Sequence, residues 1–249
     1  MLKLKNIDVS LACNHILRNL NCEVQAGDFI VIVGGNGAGK TTFFDTIAGK
    51  IRPQHGAIKL DGEDVTNFSE QDRAKMVTRI FQDTNLNSVG NLTVAQNLAI
   101  ALYSRRKARL VDGMQVMPHY KAIDIITNLG LGPEILNKKM HNLSGGQRQL
   151  IAFAMSTQLI PKILLLDEPT AALDPQAATT LLQYAAKFIK QHRITTLLIT
   201  HDPQIALNLG NKIWVLERGQ IVKQYTQNEK KDLSPNQLIG QINYAQLAS

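Results

Sequence analysis

Residues 34–42 read Gly34-Gly35-Asn36-Gly37-Ala38-Gly39-Lys40-Thr41-Thr42, a glycine and four residues followed by Gly-Lys-Thr. This is the pattern of a loop that wraps a polyphosphate. Glycines let successive backbone N–H groups turn inward without a side-chain clash. A helix starting near Lys40 points its positive dipole end at the same anion. The Lys40 ammonium can reach the β- and γ-phosphates as a point charge. The Thr41 hydroxyl is placed to bind Mg²⁺, which also holds phosphate oxygens. A glycine-rich turn by itself can bind nothing, but the flanks here fit the motif. Phe29-Ile30-Val31-Ile32-Val33 reads as a strand buried on both faces. Thr42 to Ala48 has helical character and stops at Gly49.

Other candidate groups close expected strands or open expected helices. Gln82 follows the apolar run Met76–Phe81, Asp167-Glu168 follow Ile163–Leu166, and His201-Asp202 follow Thr195–Thr200. In an open parallel sheet, ligand-binding groups collect at the carboxyl ends of strands. A carboxylate at the Asp167 position can hold Mg²⁺, usually through water. Ser144, with Gln147 three residues on, fits a capping box opening a helix from Arg148 to about Leu159. Ser144-Gly145-Gly146 at that helix start is also an anion site by geometry. Singly, each has a plainer reading: a surface amide for Gln82, a solvated strand end for the carboxylates, a solvent-facing ring for His201, a simple cap for Ser144.

The surrounding pattern predicts the elements that position these groups. Leu2, Leu4, Ile7 and Val9 alternate with Lys3 and Lys5 as a half-exposed strand. Ile16-Leu17 and Leu20–Val24 continue as strand, and Gly56–Val65 reads as a hairpin turning at Asp61-Gly62. An antiparallel sheet is therefore expected beside the nucleotide core. From about Asn91 the character becomes helical, with Thr93 as a possible N-cap for a helix to Leu102 and a second helix from Lys121 to Leu129. The basic run Arg105–Arg109 between them reads as a solvated loop face, or as a surface toward a membrane component or anionic lipid. A helix over Gln176–Gln191 and a hairpin around Arg218-Gly219 follow, then a polar tail from Gln227. Ser234-Pro235 is expected to open one short helix facing Leu238, Ile242 and Leu247 inward.

With 249 residues and 44% apolar content, the chain is long enough for one large α/β domain or one with an inserted lobe. No apolar run approaches the ~18–20 residues needed to cross a bilayer, and the start lacks a signal-peptide block. Cys13 and Cys22 lack metal-ligand spacing and suit a reducing cytosol. The +7 charge is scattered, and only 5% of residues are aromatic, so no nucleic-acid partner is expected.

Together, in this order, the motifs resemble the ATPase subunit of an ABC transporter, from about Leu2 to Val222. Leu143-Ser144-Gly145-Gly146-Gln147 matches that family's signature, which separates it from kinases and GTPases. The resemblance implies an α/β phosphate-loop NTPase (RecA-like) core with an N-terminal antiparallel β subdomain and an inserted helical subdomain. It places an ABC ATPase domain over 1–225, with the core in 1–90 and 155–225, the helical subdomain at about 91–154, and a tail at 226–249. It implies ATP bound by residues 34–42, and Mg²⁺ held by Thr41, Gln82 and Asp167. Glu168 is similar to the general base, His201 to the switch histidine at the γ-phosphate, and Gln82 to the residue that senses Mg²⁺ and water. With Lys40 these form the implied catalytic set. Ser144, Gly145, Gly146 and Gln147 would contact the ATP of a second subunit, and Ala172-Leu173-Asp174 resemble the loop crossing that interface. A homodimer, or a pair with a second ABC ATPase, would sandwich two ATP.

Two positions depart from the family pattern. The adenine-stacking aromatic is missing between Val9 and Leu17, and Ala172 stands where serine is common. Phe81-Gln82-Asp83 with Asn91–Ala99 resembles ATPases of bacterial uptake systems for amino acids or similar small organic solutes. Such a subunit would be peripheral, on the cytoplasmic face of the cell membrane, beside an integral permease and an extracytoplasmic solute-binding protein. Rival readings are a lipid or drug exporter ATPase, a soluble ABC ATPase of DNA repair or translation, and a regulatory scaffold without turnover.

Overall fold

The phosphate-loop strand lies between two strands contributed by the last third of the chain. In the computed structural model, which describes residues 1–81, 88–103 and 119–247, β3 (Phe29–Val33) pairs in parallel with β8 (Thr195–Ile199) and with β9 (Lys212–Glu217). The sheet extends through β7 (Ile163–Asp167), parallel to β8, to β6 (Val77–Ile80), and on the other side to β10 (Gln220–Tyr225), antiparallel to β9. Ile30, Val31, Ile32 and Val33 are all at most 1% exposed. Burial on both faces is why β3 (Phe29–Val33) and Ile163–Leu166 of β7 read as unbroken apolar runs.

The second sheet has the order β2 (Asn14–Val24), β1 (Leu2–Leu11), β4 (His55–Leu60), β5 (Glu63–Asp64), with antiparallel pairings. Leu2, Leu4, Ile7 and Val9 are buried, as their alternation requires. They join Leu17, Leu20 and Ile58 from this sheet, Ile30, Ile32, Leu165, Leu197 and Trp214 from the first, and Phe43, Phe44 and Ile47 of α1 (Lys40–Ala48) in one core. The expected turn is present, with Asp61 (φ 51°) and Gly62 (φ 86°) both left-handed.

Arg73 closes the far end of α1. It belongs to α2 (Glu70–Arg73) and is 1% exposed. Its guanidinium donates to the Thr46, Ile47, Val65 and Thr66 carbonyls at 2.7–3.2 Å. A cation here satisfies carbonyls left open at a helix C-terminus, and burial pushes its pKa down to about 10.

The chain divides into two compact units. The first comprises Met1–Arg79, Lys162–Glu168 and Arg193–Ser249, and holds both sheets and α1. It also carries α7 (Pro203–Asn208), α8 (Gln227–Lys231) and α9 (Pro235–Leu247). Ser234 and Gln237 cap each other at the start of α9, and Leu238 is fully buried; the side chains of Ile242 and Leu247 lie outside the described residues.

The second unit, Ile80–Pro161 with Pro169–His192, is helical: α3 (Val94–Tyr103), α4 (His119–Asn128), α5 (Gly145–Thr157) and α6 (Pro175–His192). Thr93 and Gln96 form the expected cap of α3. Phe153 of α5 meets Tyr184 and Phe188 of α6 edge-on, with ring centroids 5.7 and 5.9 Å apart. Gln82, Asp83 and the Arg105–Arg109 run lie outside the described residues. Among the described residues no helix is long and apolar enough to cross a membrane.

Candidate functional site

The loop between β3 and α1 is built to leave donors open. Gly39, the N-cap of α1, has φ 98° and makes no side-chain cap, and the first turn of α1 has no acidic residue. The first N–H groups and the positive dipole end are therefore available to an anion. The Lys40 ammonium folds across the loop and donates to the Gly34 and Gly35 carbonyls at 2.9 and 3.0 Å. Partial burial lowers its pKa, while the nearby Glu168 and Asp167 carboxylates pull it back up. Thr42 is buried, whereas the Thr41 hydroxyl is exposed with no hydrogen-bond partner among the described residues.

The loop is braced by the β9–β10 turn. Gly219 donates from its N–H to the Ala38 carbonyl at 2.9 Å and accepts from Arg18 of β2 at 3.2 Å. It has φ 78°, and a Cβ there would stand 1.9 Å from the Ile16 carbonyl oxygen. Gly219→Ala is expected to cost about 1–3 kcal/mol by overpacking and to weaken nucleotide binding through displacement of Ala38. Urea unfolding together with nucleotide titration checks both parts.

The ends of β7 and β8 bring the other groups of this unit together. Glu168 follows β7 with φ 45°, and its N–H donates to Ile199 at 3.1 Å. A left-handed non-glycine backbone costs about 1–3 kcal/mol and persists where the surroundings over-determine it. The turn aims the carboxylate at His201, with Oε2 3.2 Å from Nδ1. Glu168 is one-quarter exposed and the His201 ring 69% exposed, so the pair opens to solvent. This arrangement can hold a water on the carboxylate and orient the imidazole.

Asp167 presents a carboxylate beside Glu168. Its Oδ2 accepts from Arg79 at 2.6 Å, while Oδ1 has no hydrogen-bond partner among the described residues. Among those residues no three His, Cys, Asp or Glu side chains gather into a metal cage. One carboxylate and one hydroxyl are hard oxygen donors, and they fit Mg²⁺, which keeps waters and takes its other ligands from substrate phosphates. Arg79 and Asp45 were not singled out from sequence. The available signal was an arginine inside the apolar run Val77-Thr78-Arg79-Ile80.

In the helical unit, Ser144 caps α5 as the spacing predicts. Its Oγ accepts from the Gln147 N–H at 3.2 Å, and the Gln147 side chain accepts from the Ser144 N–H at 3.2 Å. Gly145 lies against Leu173 and Ala172, and a Cβ on Gly146 would come within 2.5 Å of Ala177 Cβ. The glycines thus let the signature turn and the Ala172-Leu173-Asp174 segment pack together. Asp174 caps α6, accepting from the Ala177 N–H at 2.9 Å. Just before Gln82, the Phe81 carbonyl accepts from buried Gln149 of α5 at 3.4 Å. At the β1–β2 turn Leu11, Ala12, Cys13, Asn14 and His15 are all exposed, with His15 Nε2 3.0 Å from Asp8 Oδ1.

Residues 17–171 match the family model described as ABC transporter. The chain belongs to the ABC transporter family. This cassette is 34% identical to the tyrosine transport ATP-binding protein of Clostridioides difficile (strain R20291), over 98% of this chain and all of that one. It is 33% identical to a methionine import ATP-binding protein of Mannheimia succiniciproducens, over 92% of this chain but 66% of that relative. Among solved structures, it superposes with a TM-score of 0.77 on an ATP-binding cassette in a dimeric post-hydrolysis state bound to ADP and Pi. That match has 26% identity and covers 91% of this chain and 99% of the other. The fold is the α/β phosphate-loop NTPase cassette with its antiparallel sheet, and the cassette is an ATP-binding ATPase.

Proposed function

We propose that this cassette dimerises around two Mg-ATP and drives a separate integral-membrane permease for uptake of an amino acid or a similarly small solute. Residues 34–42 cradle the phosphates, and Lys40 neutralises the β- and γ-oxygens. Thr41, Asp167 and Gln82 would hold Mg²⁺, which would neutralise charge on the phosphate oxygens. Glu168 polarises the attacking water, and His201, oriented by Glu168, reaches the γ-phosphate. Ser144 to Gln147 close over the nucleotide of the other subunit, with Ala172-Leu173-Asp174 at the shared two-fold interface. The subunit sits at the cytoplasmic face of the cell membrane through the permease, with a solute-binding protein on the opposite side.

The observation that carries the uptake reading is the end-to-end likeness to the tyrosine transport subunit. Its test is an affinity pull-down of this chain from detergent-solubilised native membranes. The expected result is a polytopic permease with an extracytoplasmic binding protein. A permease without a binding protein points to export, and recovery with ribosomes or nucleic acid removes the transporter.

A further inference from the structure

One buried guanidinium joins the phosphate-loop helix to the end of β7. Arg79 on β6 has a side chain only 7% exposed. Its Nη1 donates to Asp45 Oδ1 on α1 and its Nη2 to Asp167 Oδ2 at 2.6 Å. The two carboxylates are themselves 11% and 14% exposed, and the guanidinium lies 5.9 Å from the Phe44 ring centroid. Arginine's planar fork fixes the direction of both bonds, which an ammonium would not. Asp167 therefore cannot rotate without giving up its bond to Arg79.

We infer that Arg79 sets the divalent-cation preference of the nucleotide site by leaving Asp167 a single oxygen to present. The inference rests on the proposed reading of Asp167 as the metal-side carboxylate. Mg²⁺ demands near-ideal octahedral geometry and is served by one carboxylate oxygen, directly or through water. Ca²⁺ accepts more ligands and takes both oxygens of one carboxylate. With one lone pair of Oδ2 taken by Arg79 and the carboxylate plane fixed, that bidentate mode is disfavoured. Asp45 serves as the far anchor of the clamp, and Lys50, 3.8 Å from Asp45 Oδ1, gives it a second cation if Arg79 is lost.

The test is the dissociation constant of a non-hydrolysable ATP analogue, measured on the full chain in saturating Mg²⁺ and separately in saturating Ca²⁺. Loss of a positive charge strengthens the attraction of both divalent ions alike, so it cancels in the ratio. Loss of a purely structural bond shifts the melting temperature and both constants together. In Arg79→Gln the ratio of the Ca²⁺ constant to the Mg²⁺ constant is expected to fall about tenfold, the scale of effects from groups that orient metal ligands. Asp45→Asn moves it the same way by less, and Arg79→Lys falls between Arg79→Gln and the parent. A ratio within about twofold of the parent in these variants, while Asp167→Asn shifts it, overturns the inference. If Asp167→Asn leaves both constants at parental values, the metal reading of Asp167 falls instead. Should Arg79→Gln fail to fold, an unchanged ratio in Asp45→Asn and Arg79→Lys is the overturning result.

Discussion

Glu168→Gln is expected to bind ATP within about twofold of the parent while hydrolysis falls by roughly 10³-fold, within the range for removing a general base. The amide keeps the size of the carboxylate and a hydrogen-bond acceptor toward His201 Nδ1, now 3.2 Å from Oε2. It cannot take a proton from water. The left-handed turn at Glu168 is set by its backbone bond to Ile199, which the substitution does not touch. In the proposed cycle hydrolysis reopens the dimer, so this variant accumulates as an ATP-bound dimer. Phosphate release and size-exclusion chromatography in ATP read the two parts. Full turnover removes Glu168 as the base, and absence of the dimer removes the coupling of closure to ATP.

Lys40→Met is expected to weaken ATP binding by about 100-fold and to take hydrolysis down with it. A hydrogen bond to a charged group contributes about 1.5–3 kcal/mol, and tenfold in affinity is about 1.4 kcal/mol. The Lys40 ammonium is partly desolvated, which raises the strength of its interaction with a phosphate. Methionine keeps the stem and deletes the donor to Gly34 and Gly35. Titration with a fluorescent ATP analogue, alongside a melting curve to confirm the fold, measures the loss. Binding near the parental level would mean that the open N–H groups of α1 hold the phosphates without this side chain.

Much of this architecture was legible before the structure because its signals are local. The phosphate loop needs only its own spacing and two flanks. Ser144 and Gln147 lie one helical turn apart, and Asp61-Gly62 prescribes a hairpin turn by backbone preference alone. Several short helices were missed despite signals of the same kind, α2 with its Ser69 cap among them, and α7 and α8 with theirs. Asp202-Pro203 places a cap and an N1 proline at the start of α7, and Thr226 with Glu229 forms the capping box of α8. Both fall in stretches read as a strand end and a polar tail. The Asp45–Arg79–Asp167 clamp was illegible for a different reason. Its members are 34 and 88 residues apart, and only the sheet brings them together. The Glu168–His201 pair, 33 residues apart, was placed at the ends of two strands, but no local pattern makes those strands neighbours or gives its 3.2 Å contact.

The position of β3 between β8 and β9 bears on how the protein is made. Translation delivers the phosphate loop early, but its strand has no lateral partner until about 160 residues later, when Thr195 emerges. At roughly 5–20 residues per second, the loop's strand waits about 8–30 s with its apolar edges unpaired. During that time the nascent chain can complete the sheet of β2, β1, β4 and β5, the pairing of β6 with β7, and the helical unit, which ends at His192. A ribosome stalled before Thr195 therefore carries every residue of the phosphate loop on a strand that has neither of its partners, and ligand stabilisation, which acts on the native state, is not open to it.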